Sequence, residues 1–456
     1  MSVARRISNR VLIALASCVV TLTPGSLHAA FGDITLVGHL SFPTLTRITN
    51  VWGHVDPATG IEYALVGDWL GGFYIVDVSD PANPVQVSKV TGAPGFDLKP
   101  FGTYVYSCDG DAANRDSRIT DISNPLVPVV LPATFRSAHT ISISTRGILF
   151  TEYVGVGIFD IVSNPEAPDS LAYILNQGHD STPRGDRLYD FNGGVLNIWD
   201  VANPAAPVLI GGDNDPTVGY YHGGDESKDH NTLYVCDEFA VTPTPDIVIY
   251  DISNPASPTR IGQINDTTSR VHQLYVVGDL MFVGYYTAGF KVFDISTPTA
   301  PVFVDAFDTS PYQTETTSDV YNGAYNAYPF APSGIVYVSD HPTGLYLFSV
   351  EGHTGQVTGV RPTAVRANLG QNVPNPFNPT TTIGFDVADR VRATLRIYDV
   401  RGRQVRELMN ESVPAGSHSV VWDGRDDTGR AVASGVYYYR LEAGPTSATR
   451  RMVLLK

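Results

Sequence analysis

The sequence predicts an all-β chain: a seven-bladed β-propeller closed by its own N-terminal strand, then a small β-sandwich. Three observations predict this. A 13-residue motif recurs through the first three-quarters of the chain. Short apolar runs alternate with period two between glycine, proline and aspartate turns, and the charge balance reverses near residue 360.

The motif is GFKVFDISTPTAP at Gly289–Pro301. Its copies are GFYIVDVSDPANP (Gly72–Pro84), DSRITDISNPLVP (Asp116–Pro128), GVGIFDIVSNPEAP (Gly155–Pro168), VLNIWDVANPAAP (Val195–Pro207) and DIVIYDISNPASP (Asp246–Pro258), with a degenerate GLYLFSV at Gly344–Val350. The anchors Asp77, Asp121, Asp160, Asp200, Asp251, Asp294 and Ser349 lie 39 to 55 residues apart. Such a period, filled with short alternating segments, is that of propeller blades of about four strands.

Each copy reads as strand, turn, strand. The anchor aspartate accepts hydrogen bonds from backbone N–H groups beyond it, and the prolines end the pairing. In the sixth copy the four strands are a (Leu274–Val277), b (Leu280–Tyr285), c (Phe290–Ile295) and d (Pro301–Phe307), with Gly278-Asp279 turning a into b. The last copy stops after its third strand at Val350, whereas residues 34–42, ITLVGHLSF, read like a d strand with no blade before it. If that segment completes the seventh blade, no sheet edge is left open. These copies resemble LVIVD repeats, as found in exported proteins of the choice-of-anchor B kind, over about residues 33–352. The resemblance implies a propeller and implies no reaction.

Residues 1–30 read as a secretory signal peptide: three arginines and no acid in Met1–Arg10, an apolar run Val11–Leu22, then His28-Ala29-Ala30. The run is too short for a transmembrane helix, and no later stretch approaches one. A rival reading makes Leu15–Cys18 a lipobox with lipid on Cys18, but apolar residues continue past it. The mature chain is expected to be exported, soluble and monomeric. Residues 31–360 hold 37 acids against 13 bases, and residues 361–456 hold 9 against 14. The acidic part should repel nucleic acid and anionic membranes, so neither is an expected partner. The domain division that follows is signal 1–30, propeller 31–352, linker 353–371 and C-terminal domain 372–456. Cys108 and Cys236 end corresponding strands of distant copies and are expected as free, buried thiols.

Candidate site residues come from the same alignment. Just before strand a, the copies place His54, His139, His179, His222 and His272, and at the end of strand b they place Asp68, Asp109, Glu152, Asp190, Asp237 and Asp340. Antiparallel pairing brings both positions to one end of each blade. Three readings are open: each acid accepts from a histidine and braces the blade, the histidines ring the channel mouth as a ligand site, or they hold a catalytic metal. Regular recurrence favours the brace. Separately, Asp109, Asp111, Asn114 and Asp116 offer four side-chain oxygens in one loop, suited to Ca²⁺, although EF-hand spacing is missing and a solvated acidic loop is the simpler alternative. No G-x-S-x-G, H-E-x-x-H, C-x-x-C or GxxxxGK motif occurs, so no catalytic residue or cofactor is assigned.

The C-terminal segment reads as six or seven short strands with Leu395, Ile397, Val420, Trp422, Tyr437, Tyr439 and Leu441 in the core. Through Asn375–Pro379 (NPFNP), Tyr398–Gly402 (YDVRG), Trp422-Asp423-Gly424 and Ser434–Tyr437 (SGVY), it resembles the sorting domains of type IX secretion cargo and the Ig-like domain of flagellar hook-capping proteins. That resemblance implies an Ig-like sandwich, export across the outer membrane of a Gram-negative-type bacterium, and the type IX machinery as partner of residues 372–456. The expected function is a secreted or cell-surface, non-enzymatic binding scaffold for a protein or glycan ligand. The alternative is an extracellular enzyme, a metal-assisted hydrolase at the histidine-lined mouth.

Overall fold

The computed structural model describes residues 34–43, 47–110, 117–153, 155–175, 178–239, 246–266, 269–310, 321–354, 367–387, 391–399, 403–414, 416–443 and 446–455. The signal segment with Cys18 lies outside them, as do Asp111, Asn114 and Asp116 of the proposed cation loop. The described residues form strands and turns and contain no helix, hence none long and apolar enough to cross a membrane.

The described residues from 34 to 350 form seven four-stranded antiparallel sheets with strands in order a-b-c-d, a repeat that fits a propeller. The sixth blade shows the pattern: Gln273–Val277, Leu280–Gly284, Phe290–Asp294 and Val302–Phe307. Its inner three strands are buried apart from the anchor aspartate, whereas the outermost alternates between exposed and half-buried residues. That gradient follows from packing each sheet face against its neighbours and leaving only the d strand to water. The first strand, Ile34–Leu40, pairs antiparallel with Gly344–Val350, from Ile34 opposite Val350 to Leu40 opposite Leu345. The N-terminal strand therefore supplies the fourth strand of the last blade, as its d-like sequence predicts.

The six aspartate anchors make the expected turns. Asp77, Asp121, Asp160, Asp200, Asp251 and Asp294 each accept from the backbone N–H two residues on, at 2.7 to 2.9 Å. One such bond is worth about 1 kcal/mol. Asp121→Ala is expected to lower stability by about that amount in chemical denaturation while leaving the fold intact, and a loss of several kcal/mol would show that the anchor does more than close its turn.

The a strands (Ile48–Val55, Asp97–Phe101, Thr140–Ile143, Asp180–Arg184, Tyr221–Glu226, Gln273–Val277 and Ala324–Tyr328) touch one another in cyclic order around a central channel. Each has no strand partner on its inner side, so its backbone groups need other partners. Side chains supply them at every joint. Thr49 donates to Gly95 O, Asp97 accepts from Ile141 N, Thr140 donates to His179 O and Thr182 to Gly224 O. Asp225 accepts from Val276 N, His272 donates to Tyr325 O and Asn326 to Val51 O, which completes the circuit. The ring is thus laced from blade to blade by side chain to main chain bonds.

Cys108 and Cys236 are free and buried, as expected. The C-terminal domain is a sandwich of a three-stranded sheet (Ala367–Leu369, Thr381–Val387, Gly416–Trp422) on a four-stranded sheet (Gln404–Val413, Val391–Asp399, Gly435–Ala443, Thr446–Leu454). Its first strand begins at Ala367, inside the stretch that composition alone reads as linker. Leu395, Ile397, Trp422, Tyr437, Tyr439 and Leu441 are buried, while Val420, on a strand that alternates between exposed and partly buried residues, is only partly covered.

Candidate functional site

Strand a begins, and strand b ends, at one face of the propeller, so the residues flanking them converge on one mouth of the channel. There Phe96, His139, His179, His222, His272 and Tyr325 form a closed circle of side-chain rings. Successive centroids lie 5.0, 4.4, 4.9, 4.4 and 4.0 Å apart, and 6.3 Å separates Tyr325 from Phe96. His341 flanks Tyr325 at 4.5 Å.

Four of the five predicted histidines meet in this circle; His54 does not. Strand a of the first blade spans eight residues, Ile48–Val55, so His54 lies near its end, beside Tyr63 at the other end of the blade. Burial lowers its pKa to about 4.

Among the described residues, none of the bonds seen from His139, His272 and His341 runs to a strand-end acid, which departs from the expected histidine–acid brace. The acids do tie blade elements together, with other donors. Asp237 accepts from the N–H groups of Gly219 and Tyr220, Asp340 from the hydroxyls of Thr309 and Ser310, and Asp68 from Lys89 at 2.9 Å. The histidines instead donate to main-chain oxygen: His139 Nδ1 to Gly110 O at 2.6 Å, His272 Nδ1 to Tyr325 O at 2.6 Å, and His341 Nδ1 to Ile48 O. A carbonyl only accepts, so Nδ1 carries the proton and Nε2 keeps its lone pair. Burial brings the pKa of His222 and His272 down to about 3, and that of His179 well below its ordinary value. These imidazoles are neutral at physiological pH.

Glu238 completes the site and was not singled out from the sequence, because it follows the strand-end acid Asp237. The two neighbours face opposite ways: Asp237 binds the d–a loop, and Glu238 reaches the circle, its Oε2 3.7 Å from His222 Nε2. Tyr286 donates its hydroxyl to Glu238 Oε1 at 2.7 Å. The donor atoms of His222, Glu238 and His272 lie within 4.8 Å of one another, and all three residues are buried. Asp109 is described but its proposed partners Asp111, Asn114 and Asp116 lie outside the described residues.

Below the circle the channel holds a cavity of about 60 Å³, room for roughly four waters, lined by His139, His222, His272, Tyr325, Asp97, Asp180 and Gln273 among others. Several of its polar groups are paired: Lys99 with Asp97 at 2.5 Å, Gln273 with Asp180 at 3.1 Å, and Arg184 with Asp225 at 2.6 Å. Deeper, Trp52, Tyr275 and Phe330 pack together with centroids 5.4 to 6.0 Å apart.

Buried carboxyls contribute to a pH dependence. Burial, aided by the charge of Asp97, pushes Asp180 up to about 7, burial pushes Asp190 up to about 6, and Glu152 is raised by burial and by Asp190. These groups hold protons more tightly folded than unfolded, where an aspartate has a pKa of about 3.9. The contribution of Asp180 and Asp190 is full below about pH 4 and is lost as pH rises through 6 to 7. Asp160 runs the other way: partial burial raises it, but bonds from Ser163 and Val162 outweigh this and hold it low, so its contribution is lost in acid. The buried histidines oppose the carboxyls: held at about 3 to 4 when folded, they contribute stability that is full above the free histidine value of about 6.5 and is lost as pH falls. Thermal midpoints are therefore expected to peak at about pH 6 to 7 and to fall on both sides. A profile that climbs from pH 5 to 8 would contradict this.

Two family models match parts of the chain. Residues 62–92, 241–266 and 270–309 match the LVIVD repeat. The propeller carries LVIVD repeats. Residues 371–447 match the FlgD Ig-like domain, so the sandwich is Ig-like. A comparison with curated protein sequences finds no match. Among solved structures the chain is similar to PorZ, a surface component of the type IX secretion system of Porphyromonas gingivalis, at 13% identity and a TM-score of 0.44. That likeness covers 88% of this chain, which spans only 58% of the PorZ chain. A chain of the mitotic checkpoint complex gives 12% identity and 0.48, covering 76% of this chain and 100% of that one. A protein from Lactobacillus plantarum gives 15% and 0.45, covering 70% and 98%. None of these bears on activity.

Proposed function

We propose that the protein is an exported, non-enzymatic binding scaffold that presents the histidine face of its propeller to a ligand and is delivered to the cell surface by its C-terminal domain. One observation carries the choice of face. Outside the d strands, the exposed aromatics among the described propeller residues are Trp69, Tyr153, Phe239 and Tyr321. All four stand in b–c or d–a connections, around the mouth where the rings converge. The opposite face presents the repeated aspartate turns, with aliphatic Leu126, Val127 and Val162 exposed.

Aromatic side chains offer large contact area with little flexibility and suit a neutral glycan or peptide. Two are held in place by neighbours: Trp69 lies under Arg47 at 4.7 Å and against Phe96 at 4.9 Å, and Phe239 packs on Tyr220 at 4.5 Å. Binding of the mature protein to glycan and peptide panels is the test. Trp69→Ala and Phe239→Ala are expected to weaken the best ligand about tenfold or more, whereas Leu126→Ala on the far face leaves it unchanged. Equal effects on both faces would dismiss the assignment.

Delivery rests on the resemblance of residues 372–456 to type IX sorting domains, with the type IX machinery as the partner. A chain ending at Gln371 is expected to keep its propeller and accumulate in the periplasm; normal surface delivery of that truncation would rule out the sorting role. A second reading, a metal-assisted extracellular hydrolase, is favoured by the His222, Glu238 and His272 donors and requires a chelator-sensitive hydrolytic activity.

A further inference from the structure

We propose that His222, Glu238 and His272 bind one divalent transition-metal ion of the zinc class at the channel mouth. This holds whether the propeller serves as scaffold or enzyme, and it uses none of the residues named for the Asp109–Asp116 loop. Two imidazoles and one carboxylate are the donor set of borderline ions; calcium and magnesium favour all-oxygen surroundings.

The geometry fits the ion better than it fits a hydrogen-bond network. His222 Nε2 and Glu238 Oε2 stand 3.7 Å apart, beyond hydrogen-bond range. Two donors each 2.0–2.1 Å from a shared zinc stand roughly 3.0–3.6 Å apart, so this pair needs a few tenths of an ångström of closure, and the three donors together, within 4.8 Å of one another, need about an ångström. His222 is also buried, with its Nε2 turned toward Glu238 and away from bulk water.

The groups behind the donors are in place. Tyr325 O holds the His272 Nδ1 proton and frees Nε2, while the Tyr286 hydroxyl holds Glu238 Oε1 and leaves Oε2 free. Metal sites depend on such outer partners, whose loss typically costs 10- to 100-fold in affinity. Three protein donors leave a coordination position for water or a ligand group from the cavity. Tyr286 is fully buried with φ of 31°, in the left-handed region that an aromatic residue rarely adopts, and this conformation is the one in which its hydroxyl meets Glu238.

The test is metal titration of the full-length mature protein after chelator treatment, using Zn²⁺ by calorimetry and Co²⁺ by its visible absorption. One equivalent is expected per chain, with a Co²⁺ spectrum of low coordination number and a thermal midpoint raised by Zn²⁺. His272 also laces two blades, so His272→Ala risks the fold. Glu238→Gln keeps shape and the acceptor for Tyr286, and is expected to weaken Zn²⁺ at least tenfold and to abolish the thermal shift. Tyr286→Phe is expected to weaken it by about tenfold, and His54→Ala, at the other end of the channel, to change nothing. No stoichiometric uptake by the wild type overturns the proposal. So does undiminished uptake by a folded Glu238→Gln variant, which would place the ion elsewhere, for example on the acidic loop.

Discussion

Deleting residues 34–40 is expected to abolish cooperative unfolding of the propeller or to lower its thermal midpoint by about 10 °C or more. The strand makes the outermost pairing of the last blade, from Ile34 opposite Val350 to Leu40 opposite Leu345. It also ties that blade to the sixth through Ile34 N and Asp305 Oδ2 at 2.9 Å, and stacks His39 on Tyr346 at 4.2 Å. Without it, Gly344–Val350, buried save for Ser349, becomes an open apolar edge. Such an edge is a template for pairing with other chains. Size-exclusion chromatography and thermal melting of the deleted protein are the measurements. Aggregates or early melting are expected, and an unchanged monomeric transition would mean that the ring does not depend on this closure.

The second large effect is expected at Asp225. Its carboxylate receives the Arg184 guanidinium on both oxygens, Nε at 2.8 Å and Nη2 at 2.6 Å, and also accepts from Val276 N at 2.9 Å and Glu226 N at 2.8 Å. Asp225→Ala leaves a buried guanidinium and a backbone N–H of the next blade without partners. Breaking a buried pair from one side costs roughly 3–5 kcal/mol. The exposed pair of Lys228 and Asp279, at 2.6 Å, is the natural control, since Lys228→Ala should cost less than about 1 kcal/mol. Denaturant unfolding of both variants decides the matter. Equal losses would show that the channel pair is as well solvated as the surface one.

Both results follow from a feature of closed rings. The a strands are sheet edges turned inward, and Thr49, Asp97, Thr140, Thr182, Asp225, His272 and Asn326 serve the neighbouring backbone where another strand would otherwise stand. Several of these residues flank the candidate site. Structure and site therefore share side chains, and a variant of His272 tests both at once whereas Glu238→Gln tests the site alone.

Local chemistry explains what could be read without coordinates. An aspartate two residues before a free N–H closes a turn wherever it occurs, so the anchors, the blade period and the unpaired strand at residues 34–42 are all legible in order along the chain. Trp422 and Tyr439 in the sandwich are similarly legible, from alternation between glycine turns. The histidines were legible as a set by their place before strand a, although His54 entered it because the length of the first a strand is invisible in spacing alone. Their partners were not legible. A histidine beside a strand-end acid suggests a pair, but the direction of each side chain depends on the twist of the blade and on which neighbour's carbonyl lies nearest.

Sequence by itself determined the all-β architecture, its repeat, the closure by the N-terminal strand and the separate C-terminal sandwich, because each rests on contacts within one blade or one hairpin. Only the tertiary structure decided that four histidines, Phe96 and Tyr325 close into one circle. Only it decided that Glu238, rather than a strand-end acid, stands beside His222 and His272. Those residues come from different blades, and their meeting is set by the radius of the ring and the facing of its innermost strands.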